Sequence, residues 1–285
     1  MAAIRSLQRA VGALSDNPVL FLGGVIYAVV VAPQSVLSLL GVPIVPNLLQ
    51  LVTFFITPFV VAGIIGMADE GLRGGTSFDT FTDVGKGRYV PLLLGNLVQF
   101  GIAVAIGVFA FVVLLVVALV VGIGAMGAAS GGSGAFGAVG IVGLLVGGSG
   151  VLLVVLVAAV VFFFVQFYPI AIVADGMDAI EGFKGSVGLV RANLVSTLGF
   201  SVINLLVGLL TSLPVVVIFV LRGMDSPATG AGPTPGTGMP SGFAGGVGFL
   251  STPEAVALAA ISLLLTAVLL PFRQTYATAF YRAVK

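Results

Sequence analysis

From Tyr89 to Ala174 the chain runs for 86 consecutive residues without a charged side chain. No water-soluble domain covers such a stretch with a solvated surface. In lipid the backbone must satisfy its own polar groups, which leaves helices or a closed barrel. A helix crosses the hydrocarbon core with roughly 20 apolar residues, so the stretch is too long for one crossing. Its flanks set the parity. Arg73, Lys86 and Arg88 precede it, and Lys184 and Arg191 follow it. Excess Lys and Arg mark the cytoplasmic side, so both flanks lie there and the number of crossings is even. Four crossings would need roughly 80 residues with no loops. Two are expected, over about 90–121 and 150–174. The glycine-rich piece between them, 122–149, is a loop, an outward extension of the fourth helix or a re-entrant segment.

The remaining chain agrees. Charged residues make up 7% and hydrophobic ones 59%, whereas a soluble domain is roughly 25% charged. Further spans are expected over about 18–40, 46–67, 194–221 and 253–279. Asp16-Asn17-Pro18 reads as a capped start with proline in the first turn, and Thr252-Pro253-Glu254 as another. Met1 to Asn17 lacks the short apolar core and small-residue cleavage site of a signal peptide, so the first apolar stretch is expected to stay as an anchor. Residues 223–252 hold nine glycines, four prolines and one charge, Asp225. That composition reads as a flexible external linker. Ten of the eleven Lys and Arg fall on one side of this scheme, with Arg222 alone opposite. Both termini are therefore expected to be cytoplasmic, in a multi-pass protein of the cell membrane.

Three segments carry apolar residues at helical steps with charges off the stripe. In the clearest, Met177, Ile180, Phe183, Val187 and Val190 form the stripe, while Asp178, Glu181, Lys184 and Arg191 lie off it. Asp175 reads as its cap, with Asp178 three residues on. Weaker versions occur at Ile4, Leu7, Val11 and Leu14, and at Phe78, Phe81 and Val84. Each precedes a pair of spans, and each pair has a proline in its second helix: Pro58, Pro169 and Pro271. The fold expected is an all-α membrane protein with six transmembrane helices in three hairpins and short cytoplasmic interfacial amphipathic helices. The stripe from Met177 to Val190 is a candidate platform for lipid or a partner.

The run from Ala171 to Asn193, through Asp175-Gly176-Met177-Asp178 and Glu181-Gly182-Phe183-Lys184, carries a family resemblance. With the Pro271 and Tyr276-to-Tyr281 ending, it resembles six-helix prokaryotic, haloarchaeal-type integral membrane proteins of unknown function. These are related to the membrane domain found beside some glycerophosphodiester phosphodiesterases. The resemblance implies a membrane role and no catalytic residue; the phosphodiesterase chemistry is not carried over, since the chain has no His.

Candidate sites are few. With no His and no Cys, imidazole acid–base chemistry, thiol nucleophiles and the common zinc sites are excluded. The acids Asp69, Glu70, Asp79, Asp83, Asp175, Asp178 and Glu181 match no metal spacing and have basic neighbours, as on solvated helix faces. No catalytic, metal or cofactor site is expected. Inside the spans, Asn47, Gln50, Thr53, Asn96, Gln99, Gln166 and Asn204 could line a polar path. The alternative is hydrogen bonding between helices, at about 0.6 kcal/mol each. No charge is expected deep in a span, which speaks against an ion-coupled transporter. The expected partners are the lipid bilayer and a membrane or cytoplasmic protein, and no basic run suggests nucleic acid. The function expected is a non-catalytic scaffold or accessory component of a membrane or envelope process. An uncoupled transporter or small-molecule pore is the alternative, and a lipid-modifying enzyme the third choice.

Overall fold

The computed structural model describes the backbone of residues 2–40, 42–129, 133–225 and 252–285, with side chains outside 120–144, 146, 211, 214, 215, 217–225, 252 and 255. Among the described residues every regular element is a helix. They are α1 (Ala2–Asp16), α2 (Leu20–Leu39), α3 (Val45–Gly71), α4 (Phe78–Gly87) and α5 (Tyr89–Ala129). Then follow α6 (Ser133–Val165), α7 (Tyr168–Ala174), α8 (Ala179–Ala192), α9 (Leu194–Asp225) and α10 (Thr252–Val284). Five segments are long and apolar enough to cross a membrane: Leu20–Leu39, Val45–Gly71, Tyr89–Leu119, Gly147–Ala174 and Val256–Val284. The bent pair α8–α9, turned through 107° at Asn193, would make a sixth. By length and composition this is a multi-pass membrane protein.

Each of the three amphipathic segments is a helix of its own, α1, α4 and α8, set just before a long apolar helix. Helices α1 and α8 pack chiefly by their small residues. Helix α1 buries Ala3, Ser6, Ala10, Ala13 and Leu14 against the bundle, and Ile4 and Val11 of its expected stripe stay exposed. Helix α4 buries Phe81, whose ring meets Phe59 of α3 edge-on at 5.7 Å.

Helix α2 crosses α10 at close range. A Cβ on Gly24 would fall 2.0 Å from the Ala267 carbonyl oxygen. Only glycine permits that approach. Where α6 ends and α7 begins, the break at Gln166–Phe167 releases backbone groups from the helical ladder. Ser186, buried on α8, takes two of them: its hydroxyl donates to the Phe164 carbonyl at 2.8 Å and accepts from the Phe167 N–H at 3.1 Å. The core beside it is aromatic. Phe280 stacks on both Phe167 and Phe200, those two rings are tilted against each other, the three centroids lie 4.8–5.6 Å apart, and Phe200 lies 4.8 Å from Tyr276.

Several sequence expectations are corrected here. Asn17 does not cap α2, whose N-cap is Val19 with no side-chain bond. The Asn17 amide instead donates to the Ala13 and Gly74 carbonyls and accepts from the Thr76 N–H. It is buried at the joint with the turn after α3, where a distant backbone offers more partners than its own helix start. Nor does Asp175 cap α8. Asp178 does, with Glu181 completing a capping box, because Asp175 is drawn to a cation on another helix. Of the three alternatives for 122–149, helix extension fits: α5 continues to Ala129 and α6 starts at Ser133. The expected linker, 223–252, lies outside the described residues apart from 223–225, which end α9, and Thr252, which begins α10.

Candidate functional site: a charged clamp and its cavity

Three helix ends meet at the polar end of the bundle. Asp69 sits in the last turn of α3, Asp175 caps α7, and Arg282 closes α10. Arg282 faces Asp69 as a two-pronged fork, Nε to Oδ1 at 2.7 Å and Nη2 to Oδ2 at 2.9 Å. Its Nη1 reaches Asp175 Oδ1 at 3.2 Å, and Nη2 also donates to the Ala174 carbonyl. Lys285 closes on Asp175 Oδ2 at 2.7 Å, the Tyr281 hydroxyl donates to the same oxygen, and Arg73 reaches Asp69 at 2.7 Å. The carboxylates are nearly buried, with side chains 14% and 9% exposed, while Arg282 is 31% exposed. Planar bidentate pairs of this kind are among the stronger charge-assisted bonds.

Burial by itself would raise the Asp175 carboxyl. The hydrogen bonds from Lys285 and Tyr281, with the charges of Lys285 and Arg282, outweigh it and hold Asp175 below the ordinary carboxylate range. Nearby, Arg88 Nη1 donates to the Gly176 carbonyl at 3.1 Å. Gly176 has φ +73°, a left-handed turn that glycine adopts without strain. The end of α4 is thereby tied to the α7–α8 turn.

Beside the clamp lies an open cavity of about 580 Å³, lined among others by Arg9, Asp16, Asp69, Arg73 and Arg282. Among the described residues no group of three or more His, Cys, Asp or Glu could hold a metal ion. All four carboxylate oxygens of Asp69 and Asp175 already face cations or a hydroxyl. Chemically the arrangement cross-links α3, α7 and α10; it presents no spare base.

The expected platform divides. Val190 is fully buried and Phe183 stacks on Tyr168 at 4.4 Å, whereas Ile180 is 65% exposed. Met177 and Val187 are half-buried. The buried line of α8 runs through Ala179, Gly182, Ser186 and Val190, and it rests on the chain's own α7 and α6. Small residues allow the closer fit, so the packed face lies one position away from the stripe of largest side chains.

The polar residues of the spans fall into separate pairings. The Tyr168 hydroxyl lies 2.7 Å from both Asn96 Oδ1 and Gln99 Oε1. Ser201 donates to Gln166 at 3.2 Å. Asn204 Oδ1 accepts from Arg273 Nε at 3.0 Å. Asn47 donates to the Pro43 carbonyl, the Thr57 hydroxyl donates to the Thr53 carbonyl, and Gln50 is exposed. Arg273 lies in α10, toward the polar end of the helix segment Val256–Val284.

The clamp was missed from sequence. Asp69 and Asp175 read as solvated acids because their cation lies 213 and 107 residues away. The available signal was the cluster Tyr281-Arg282 and Lys285 closing an otherwise apolar helix.

The chain belongs to a family defined by a domain of unknown function, DUF7847, whose model matches residues 1–284. No curated protein and no solved structure matches it.

Proposed function

We propose that the protein is a non-catalytic integral membrane component, a scaffold or accessory subunit of a membrane or envelope process. The observation that carries this reading is the division of the molecule. The polar end is cross-linked by its own charges, while the long helix α5 buries Leu92 and Gly95 near its start and no residue from Asn96 to Leu119. Helices α5 and α6 pack chiefly on each other and extend as a hairpin from the clamped bundle. At about 1.5 Å per residue, the 41 residues of α5 reach about 60 Å, twice the hydrocarbon thickness. A rigid base with a projecting apolar hairpin suits docking of a partner's transmembrane helix. In this reading six helices span the cell membrane as three hairpins and α1, α4 and α8 lie at the cytoplasmic interface. Both termini are cytoplasmic. The likeness to six-helix, haloarchaeal-type proteins related to the phosphodiesterase-associated membrane domain supports a lipid or envelope setting without supplying chemistry.

The test is photo-crosslinking in cells from Phe111, 65% exposed on α5, against Leu205, 63% exposed on α9. A discrete protein adduct from Phe111 and none from Leu205 is expected. Lipid adducts alone at both positions would refute the docking role.

A further inference from the structure

Helix α1 carries two cations where an isolated helix would not choose them. Arg5 and Arg9 stand one turn apart, a like-charge spacing that weakens a helix. Arg5 also lies close to the helix start, the end that favours acids, and the first turn holds no acid. Ion pairing does not account for them either: among the described residues neither guanidinium bonds to a carboxylate.

Packing brings a third arginine to the pair. Ala2, Arg5, Ser6 and Arg9 share one face of α1, and with Arg282 and Ala283 of α10 they line a cavity of about 260 Å³. Ser6 fixes this face in place, its buried hydroxyl donating to the Ala279 carbonyl of α10 at 3.4 Å. Ala2, Ser6 and Ala283 are small, so the space between the helices stays open. Every charged residue lining this cavity is an arginine. It adjoins the cavity of about 580 Å³ beside the clamp, and the two share Arg9 and Arg282. The acids there do little to offset the charge. Both oxygens of Asp69 are taken, by Arg282 and Arg73. Asp16 lies seven residues beyond Arg9 on α1, about 10 Å along the helix. The clamp itself sets three cationic side chains, Arg73, Arg282 and Lys285, against two carboxylates. The arginine end of this crevice is therefore left with a surplus of positive charge on a concave surface.

We propose that Arg5, Arg9 and Arg282 form a binding site for a phosphate group, with the larger cavity taking the organic part of the ligand. Arg5 and Arg9 supply the free donors: both are exposed and neither donates to a described protein group. Arg282 is spent on Asp69, Asp175 and the Ala174 carbonyl, and it serves as a fixed, charged wall. A single guanidinium fork satisfies a planar carboxylate, whereas the tetrahedral oxygens of phosphate accept from several forks arriving from different sides. The larger cavity falls within the roughly 300–1,000 Å³ usual for small-molecule sites, so it has room for more than a bare ion. A phospholipid headgroup and a soluble phosphate ester share this chemistry. The site is separate from the docking role of α5, and either can fail alone.

The full-length protein in phosphatidylcholine nanodiscs is titrated with glycerol phosphate and with inorganic phosphate, using acetate at the same ionic strength as the blank. A second preparation carries phosphatidylglycerol in the bilayer. Soluble probes are followed by titration calorimetry, and retained lipid is counted by native mass spectrometry. The double variant Arg5→Gln/Arg9→Gln removes the free donors from exposed positions, where substitutions seldom disturb folding; circular dichroism melting checks this. Should it melt lower than wild type, Arg9→Gln alone carries the same comparison. Lys184→Gln/Arg191→Gln removes the same charge from exposed positions on α8 and controls for general attraction to anions. Wild type and the α8 variant are expected to bind a phosphate probe at least about tenfold more tightly than the α1 variant, the loss of one or more charge-assisted bonds. Preferential retention of phosphatidylglycerol supports the site with a lipid as its source. Binding of glycerol phosphate or inorganic phosphate supports it with a soluble source. Equal binding by wild type and the α1 variant overturns the proposal. So does an equal loss in the α8 variant, or a wild type that prefers neither soluble phosphate to acetate nor phosphatidylglycerol to phosphatidylcholine.

Discussion

Replacing Arg282 with Ala is expected to unfasten the polar end of the bundle. The change removes two bonds to Asp69 at 2.7 and 2.9 Å, one to Asp175 at 3.2 Å and one to the Ala174 carbonyl at 2.9 Å. Breaking a fully buried pair costs about 3–5 kcal/mol, and an exposed pair contributes about 0–1 kcal/mol. Arg282 is 31% exposed while its acids are 14% and 9% exposed, so the cost lies between, at about 2–3 kcal/mol. Asp175 keeps Lys285, which limits the loss. Arg73→Ala removes a contact to the same Asp69 from a side chain 67% exposed, and about 0.5 kcal/mol or less is expected. Arg282→Lys keeps the charge without the fork and should fall between the two. Stability is read by equilibrium unfolding in mixed micelles, with helix content as the signal. Equal losses from Arg282→Ala and Arg73→Ala would show that the clamp does not hold the three helix ends together. Acid supplies an independent check. Asp175 is held below its ordinary range in the fold, so its contribution is complete above the unfolded carboxylate value of about 4 and is lost as pH falls through the folded value. Wild type should lose this part of its stability only on acidification below about 4, and Asp175→Asn should show a flatter acid limb.

Three further outcomes follow from the packing. Gly24→Leu would drive a side chain into the Ala267 carbonyl, 2.0 Å from where its Cβ would stand; α2 and α10 must part, and a loss above about 1–3 kcal/mol in the same unfolding assay is expected. Ser186→Ala leaves the buried Phe167 N–H without its acceptor and should cost about 1–3 kcal/mol, whereas Ser15→Ala, on an exposed local bond, should change nothing measurable. Phe183→Asp breaks the 4.4 Å stack on Tyr168 and should expose the α7–α8 turn to protease in inside-out vesicles, while the exposed Lys184→Ala leaves it protected. The native chain has no Cys, so single cysteines report sidedness: Ser77→Cys and Lys184→Cys, both exposed, should resist an impermeant thiol reagent added outside, and external labelling of Lys184→Cys would overturn the proposed orientation.

The sequence by itself determined the class of the fold. An uncharged run of this length can exist only where water is absent, and in lipid a backbone without partners must coil on itself. The amphipathic helices α1, α4 and α8 were legible for a similar reason: apolar steps of three and four are a local property of a helix. Which face α1 and α8 bury was not legible, whereas the stripe residue Phe81 of α4 is buried as its spacing suggests. The stripe through Ile180 reads as a face for lipid or a partner, but contact with the neighbouring helix is made by Ala179, Gly182 and Ser186, and that neighbour is known only once α7 is in place. The clamp lay beyond reach for the same reason. Asp69 has Arg73 four residues on, Asp175 has no basic residue nearer than Lys184, and their shared partner Arg282 comes from the far end of the chain. Arg273 was visible as a letter near the end of an apolar stretch. Its partner became visible only when α9 and α10 were aligned, with Asn193 opposite Val284 and Asn204 opposite Arg273. Local periodicity is written into consecutive residues; the pairing of charges and the level at which a charge sits depend on how distant helices are laid against one another, and that is decided by tertiary packing.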